Sequence, residues 1–368
     1  MGAPRIERLD VNGIINAGMD RWERVLGATT TVNTATPTSG YTADRFRYGT
    51  TGTTVKNFSV LRSTDIPSAA QVGERLNYSY QFNCLTAITS PASGDVVVPI
   101  QYLMEGQDYA KYHGKLATFG FWIKVTSTAT FPINVPVAFS APQVTRCYVT
   151  TVSVTANNTW QFVTFNLTFE SAGAFAFDNS AALKITVGAG AVGSANLAAS
   201  ANTWVAGDSF SVSGAFNSMG VNTNVIRVTG FGIYEGAVSP QGNFIRAGRS
   251  LHGDFLLCKR YCEVWSGLSA GQGVGNGAYV TTTNGRILLP FTVAKRAFPS
   301  VSFTNLTSFR MNNASVNNRV ISISSIQSNL NNSMMILAGS ATTNGAAISD
   351  LDCDNANGAG VIVVDAEL

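Results

Sequence analysis

Trp160-Gln-Phe-Val-Thr-Phe-Asn-Leu-Thr-Phe169 sets large apolar residues against small polar ones in near alternation, and Phe119-Gly-Phe-Trp-Ile-Lys-Val125 repeats the pattern. A period of two is the mark of a strand with one buried face. The same signal recurs at Asn77 to Cys84, Thr145 to Val154, Ala182 to Val187 and Val225 to Tyr234, separated by turn clusters such as Ser90-Pro91 and Asp178-Asn179-Ser180. Many strands with no useful helix between them predict a sandwich or barrel over residues 39–248.

One helical pattern interrupts this. In the stretch from Ser250 to Trp265, Leu251, Phe255, Cys258, Cys262 and Trp265 fall at gaps of four and three and share one face. Asp254 lies early and Lys259 and Arg260 late, as the helix dipole prefers. Residues 249–267 are therefore predicted as a linker helix that packs between two β domains or against its own copies. Beyond it, strands at Gly285 to Val293, Pro299 to Phe303, Arg319 to Ile326, Met334 to Gly339 and Gly360 to Asp365 predict a smaller antiparallel β-sandwich over 268–368. Residues 1–38 read as an N-terminal arm with a first strand or short helix, in which Trp22 follows a three-four spacing. The expected class is thus all-β: a jelly-roll β-sandwich, a short linker helix and a smaller C-terminal β-sandwich.

Composition bounds the function. The chain is 45% hydrophobic and only 12% charged, against roughly 25% charged in an average soluble domain. Its 21 Phe, 11 Tyr and 5 Trp argue for a folded core. Net charge +3 without a run of basic residues gives no support to nucleic-acid binding. No apolar run is long enough for a membrane helix, and the N-terminus shows no compact apolar signal region.

Chemistry-bearing motifs are sparse. His113 and His252, the two histidines, are far apart and lie in ordinary contexts. No metalloprotease, nucleophile-elbow or phosphate-loop motif occurs. The glycines at 271, 273, 275 and 277 read as a flexible loop. Glu74, Asp95, Glu105 and Asp108 are the carboxylates weighed for glycoside hydrolysis, without a diagnostic motif, so no enzyme is expected. Cys258 and Cys262 suit buried thiols better than a metal pair. Ser349-Asp-Leu-Asp-Cys-Asp354 reads as a solvated turn, with an oxygen-ligated Ca²⁺ as the alternative; it lacks the glycine and distal Glu of an EF-hand loop. No other cofactor is expected. Tyr109, Tyr112 and Trp204 occur in turn-like sequence and are the candidate exposed rings for stacking on a sugar. Trp22, Leu251, Phe255, Cys258, Cys262 and Trp265 are the candidate assembly residues.

The order of motifs carries a resemblance. Asn12-Gly-Ile-Ile-Asn16 and Trp22 are followed by Gly40-Tyr-Thr-Ala-Asp-Arg-Phe46, then by Gln101-Tyr-Leu-Met-Glu-Gly106 and Phe119-Gly-Phe-Trp-Ile-Lys124. Val228-Thr-Gly-Phe-Gly-Ile-Tyr-Glu-Gly236, Arg246 and Leu256-Leu-Cys-Lys-Arg-Tyr261 close the series. The set is similar to bacteriophage tail-fibre and related virion structural proteins with a jelly-roll domain akin to carbohydrate-binding modules, which usually have Trp where this chain has Phe46. The resemblance implies a virion component of the tail or tail-fibre type, assembling with other virion proteins and as a homo-oligomer, commonly a trimer. Attachment to a host-surface glycan is implied as a further role. A head-fibre or decoration protein is the alternative, and a glycan-active hydrolase the alternative of another class.

Overall fold

The computed structural model describes residues 12–25, 27–265, 272–279, 284–312, 317–329, 333–340, 348–353 and 360–367. It divides into two compact units, residues 1–255 and 256–367.

The first unit is a β-sandwich. One antiparallel sheet runs, in spatial order, β1 (Thr30–Thr34), β4 (Lys56–Ser63), β5 (Ser79–Cys84), β13 (Val225–Glu235), β7 (Leu116–Thr126) and β10 (Gln161–Thr168). The other runs β12 (Trp204–Ala206), β9 (Arg146–Val154), β8 (Ile133–Ala141), β11 (Ala181–Val187), β6 (Val96–Glu105), β3 (Phe46–Thr51) and β2 (Ser39–Tyr41). The two stretches whose alternation announces the fold are neighbours, with Phe165 opposite Phe119 and Val163 opposite Phe121. Phe119, Phe121, Ile123 and Val125 point into the core and Phe121 stacks on Phe231 with centroids 5.1 Å apart. Each such ring is worth about 1.5–3 kcal/mol of burial. On the opposite face of the same strand, Trp122 packs with Val72 and Leu76 in a satellite cluster.

Two central strands carry a proline, which ordinarily argues against a central strand. Pro99 of β6 sits at the register shift where Gly49 faces Val98 and Arg47 faces Gln101, so the lost donor falls at a bulge. Pro136 of β8 lies just past the last β11 pairing, Thr186 to Ala138 and Val187 to Val137, and keeps only its carbonyl in use, accepting from Gly188 N.

Asn12–Val25 is neither strand nor helix but a series of turns pressed into this sandwich. Trp22 is 3% exposed, tilted against Tyr80, and its Nε1 donates to Met19 O. It belongs to the core and presents no surface for assembly. The predicted linker helix is also shorter: α1 (Ala69–Val72) and α2 (Gly106–Tyr109) precede α3 (Leu251–Lys259), which ends before Cys262 and Trp265. Those two residues lie on β14 (Cys262–Trp265), so the five-residue stripe does not form a single helical face. Leu251 is exposed, Phe255 half-buried beneath the Arg21 guanidinium at 3.6 Å, and Cys258 and Cys262 are buried.

The second unit, expected as a sandwich, pairs a three-stranded sheet with a closed barrel. The sheet is β14, β22 (Val361–Asp365) and β17 (Ser300–Thr304). The barrel runs β15 (Gln272–Tyr279), β16 (Asn284–Pro290), β20 (Ser333–Ser340), β19 (Asn317–Asn329), β18 (Phe309–Asn312) and β21 (Ile348–Cys353). The glycine run read as a loop is strand β15. A Cβ at Gly277 would stand 2.1 Å from Arg286 O, so glycine is what lets β15 lie this close to β16. The acidic stretch read as a turn is likewise strand β21, paired on both edges, while Asp354 lies outside the described residues. Inside this unit Glu263 accepts from Lys295 Nζ at 2.6 Å and Lys259 Nζ at 3.1 Å.

Candidate functional site

On the seven-stranded sheet, Phe46, Tyr48, Ile100, Tyr102, Ile185 and Val187 point into the core. By alternation, Arg47, Gln101, Lys184 and Thr186 point the other way. Register puts Arg47 opposite Gln101 and Gln101 opposite Thr186, a cross-strand row over β3, β6 and β11. Gln101 Nε2 donates to Thr186 Oγ1 at 3.4 Å, fixing the amide along the row.

Two walls convert this outer face into a groove of about 400 Å³. One wall is the Pro37–Ser39 segment with the end of β3, locked together where Thr38 N donates to Thr50 Oγ1 at 3.0 Å and Thr50 N to Thr38 O at 2.7 Å. The turn behind it is anchored on buried Asp95, which accepts from Lys56 Nζ at 2.8 Å and from Ala92 N at 2.7 Å. Those bonds, with the Thr54 hydroxyl and amide, hold the Asp95 carboxyl well below the usual carboxylate range despite the opposing effect of burial. The other wall is the long connection after β11. There Ser209 N donates to Cys147 Sγ at 3.3 Å and Phe210 N to Asn196 O at 3.0 Å, which brings Asp208 and Phe210 over the sheet.

Inside the groove the polar groups are unevenly committed. Lys184 Nζ is paired with Asp208 Oδ2 at 2.8 Å. The Arg47 side chain makes no hydrogen bond or ion pair among the described residues; its Nε is shielded from solvent and has no acceptor, and its guanidinium lies 6.0 Å from the Tyr41 ring centre. At Gly49 the floor is open, since a Cβ there would meet only Ser39 Cβ at 4.0 Å. Among the described residues, Asp208 is the single carboxylate lining the groove, and Phe210 the single aromatic ring.

The rings expected at the surface are elsewhere. Tyr109 and Tyr112 are each 1% exposed: Tyr109 ends the short helix α2 and Tyr112 lies in the turn that follows it, and both rings fold into the sandwich core. Tyr112 OH donates to Ile233 O at 3.1 Å and Tyr109 OH to Glu170 O at 3.3 Å, and burial pushes both phenols far up. Neither can stack on a ligand. Trp204 is half-buried at the far edge strand, packed on Tyr148, with Nε1 donating to Thr168 O at 2.8 Å. None of Glu74, Asp95, Glu105 and Asp108 lines the groove. Arg47, Gln101 and Lys184 carry one sequence signal as site residues, polar side chains at the outward positions of strands whose inward positions are apolar; Asp208 and Phe210, on a connection, carry none.

No protein-family model matches the chain, and no curated protein matches it. Among solved structures it is similar to the enzymatically active domain of bacteriophage CBA120 tailspike protein 4, at 11% identity over 61% of this chain, with a TM-score of 0.30. The chain spans about a fifth of that protein, 21% of its length. It is also similar to TmCBM61 in complex with β-1,4-galactotriose, at 11% identity over 61% of this chain and 99% of that one, TM-score 0.28. The tandem CBM22-1-CBM22-2 domain of Paenibacillus barcinonensis Xyn10C aligns over 93% of this chain and 90% of its own, at 8% identity and TM-score 0.28.

Proposed function

We propose that this protein is a non-catalytic attachment module of a phage particle, of the tail or tail-fibre type, whose sandwich takes a surface glycan in the groove over β3, β6 and β11. One observation carries the binding part of this reading. Arg47 lines an open groove half-buried, and its guanidinium has no hydrogen-bond or ion-pair partner among the described residues, so its terminal N–H groups are free to meet a ligand there. The Gln101 amide, the Ser39 and Thr51 hydroxyls and the Phe210 ring suit a polyhydroxylated ligand, which needs donors, acceptors and an apolar face together. Glycoside hydrolysis ordinarily needs two carboxylates, and Asp208 alone lines the groove. The setting on a virion, and assembly as a homo-oligomer with other virion proteins, are supported by the resemblance in motif order.

The test is a glycan array read with the full chain and with Gly49→Leu. A Cβ there meets only Ser39 Cβ at 4.0 Å, so the floor has room to take a side chain that narrows the groove. Retained binding in the wild type, reduced at least ten-fold in Gly49→Leu at unchanged melting temperature, supports the reading. Equal binding by the two proteins sinks it. Immunogold labelling of intact particles checks the setting: label confined to the head would replace the tail reading with a head-fibre or decoration protein.

A further inference from the structure

The charges lining the groove are Arg47, Lys184 and Asp208, two cations and one carboxylate. Lys184 and Asp208 satisfy each other at 2.8 Å, which leaves Arg47 as the charge without a counterpart. Its Nε–H is turned away from water and faces no acceptor, while the Tyr41 ring 6.0 Å from the guanidinium carbon supplies no hydrogen bond. A planar guanidinium in this state is matched best by a group that offers two acceptor oxygens and a negative charge, one oxygen for each of its two terminal nitrogens.

We infer that the groove is selective for an acidic saccharide, one bearing a carboxylate such as a uronate or a sialate, with Arg47 reading the carboxylate. This rests on the groove being a glycan site. Gln101, the cross-strand partner of Arg47, then meets the hydroxyls adjoining the acid, because the two side chains stand side by side on the same face of neighbouring strands. A neutral sugar would leave the Arg47 charge desolvated and unanswered, a cost the acidic one removes. The Lys184–Asp208 pair keeps a second cation from binding acids indiscriminately.

The experiment is titration calorimetry of the full chain with oligogalacturonate, oligoglucuronate and sialyllactose. Each is compared with its carboxyl-reduced counterpart or, for the last, with lactose. At least one acidic ligand should bind ten-fold or more tightly than its neutral partner, with affinity falling as salt rises. Arg47→Gln should abolish that ratio, and Arg47→Lys should restore part of it. Asp208→Ala, which releases Lys184, should raise affinity for the acidic ligand, and it keeps the test alive if Arg47 variants fold poorly. Neutral partners bound as tightly as acidic ones would overturn the inference and leave the glycan groove standing. Binding of neither kind would overturn both.

Discussion

Asn12 ties the start of the described chain to the last strand of the first unit, β13, and to the segment after it with one side chain. Its Nδ2 donates to Phe231 O at 2.7 Å and Ile245 O at 2.9 Å, and its Oδ1 accepts from Ile14 N at 3.0 Å and Ile233 N at 3.1 Å. Asn12→Ala strands these groups in the interior and is expected to cost about 3 kcal/mol, read as a lower urea midpoint at unchanged slope. Nothing in the local sequence could show this, because the partners lie 219 and 233 residues away. The same limit hid Tyr109 and Tyr112: a polar-aromatic stretch marks a turn, but only the fold decides which way the turn faces. Asp254 carries a second prediction. Burial, above all, lifts its carboxyl to about 6; Asn16 N and Arg246 oppose the shift and Asp20 adds to it. The folded carboxyl thus holds its proton more tightly than the unfolded one, near 3.9. Its contribution to stability is fully present below about pH 4 and lost as pH rises through about 6. Asp254→Asn should flatten that decline and be about 2 kcal/mol more stable than the wild type at pH 7, measured by denaturation across pH 4 to 8. A variant less stable at pH 7 would refute it.

At the scale of elements, the strands with clean alternation were legible and those with interruptions were not. β7, β9, β10, β11 and β13 fall within a few residues of their sequence-based bounds. β6 and β8 were hidden by Pro99 and Pro136, which are tolerated for reasons of register, and β15 was hidden by its glycines. The gaps of four and three from Leu251 to Trp265 describe a helix only as far as Lys259, because from Cys262 the backbone pairs with β22. A hydrophobic spacing cannot register that a strand partner waits 100 residues downstream. The groove followed the same logic: its polar residues were visible as outward positions, but not the connection that walls them in. Any side chain at Gly277 collides with Arg286 O, and the strand cannot retreat without losing the Gly277–Ile287 register. Gly277→Val should therefore lower the stability of the second unit by about 2 kcal/mol or more. In a calorimetric scan the transition of the first unit should keep its temperature.

For the molecule as a whole, the question is where the binding unit ends. The main core cluster spans Ile14 to Ile233, and the groove spans Pro37 to Phe210, so every residue lining the proposed glycan site lies in the first unit. A sequence reading that ends the sandwich at residue 248 removes two contacts made by the start of α3. Asn16 N loses its acceptor, Asp254 Oδ1 at 3.3 Å, and the Arg21 guanidinium loses the Phe255 ring. Both contacts land on the Asn12–Val25 turns, whose own hydrogen bonds to Phe231 and Ile233 hold strand β13. A fragment ending at 259 keeps the helix entire. It is expected to unfold in one cooperative transition and to bind the same glycans as the full chain. At about pH 4, where Asp254 keeps its proton in the folded chain, a fragment ending at 248 should fold with about 2 kcal/mol less stability, since a stacked guanidinium and a buried backbone donor are each worth about 1 kcal/mol. Paired urea titrations decide it. Equal midpoints would show that α3 contributes nothing to the sandwich, and loss of glycan binding from the longer fragment would show that the site draws on the second unit.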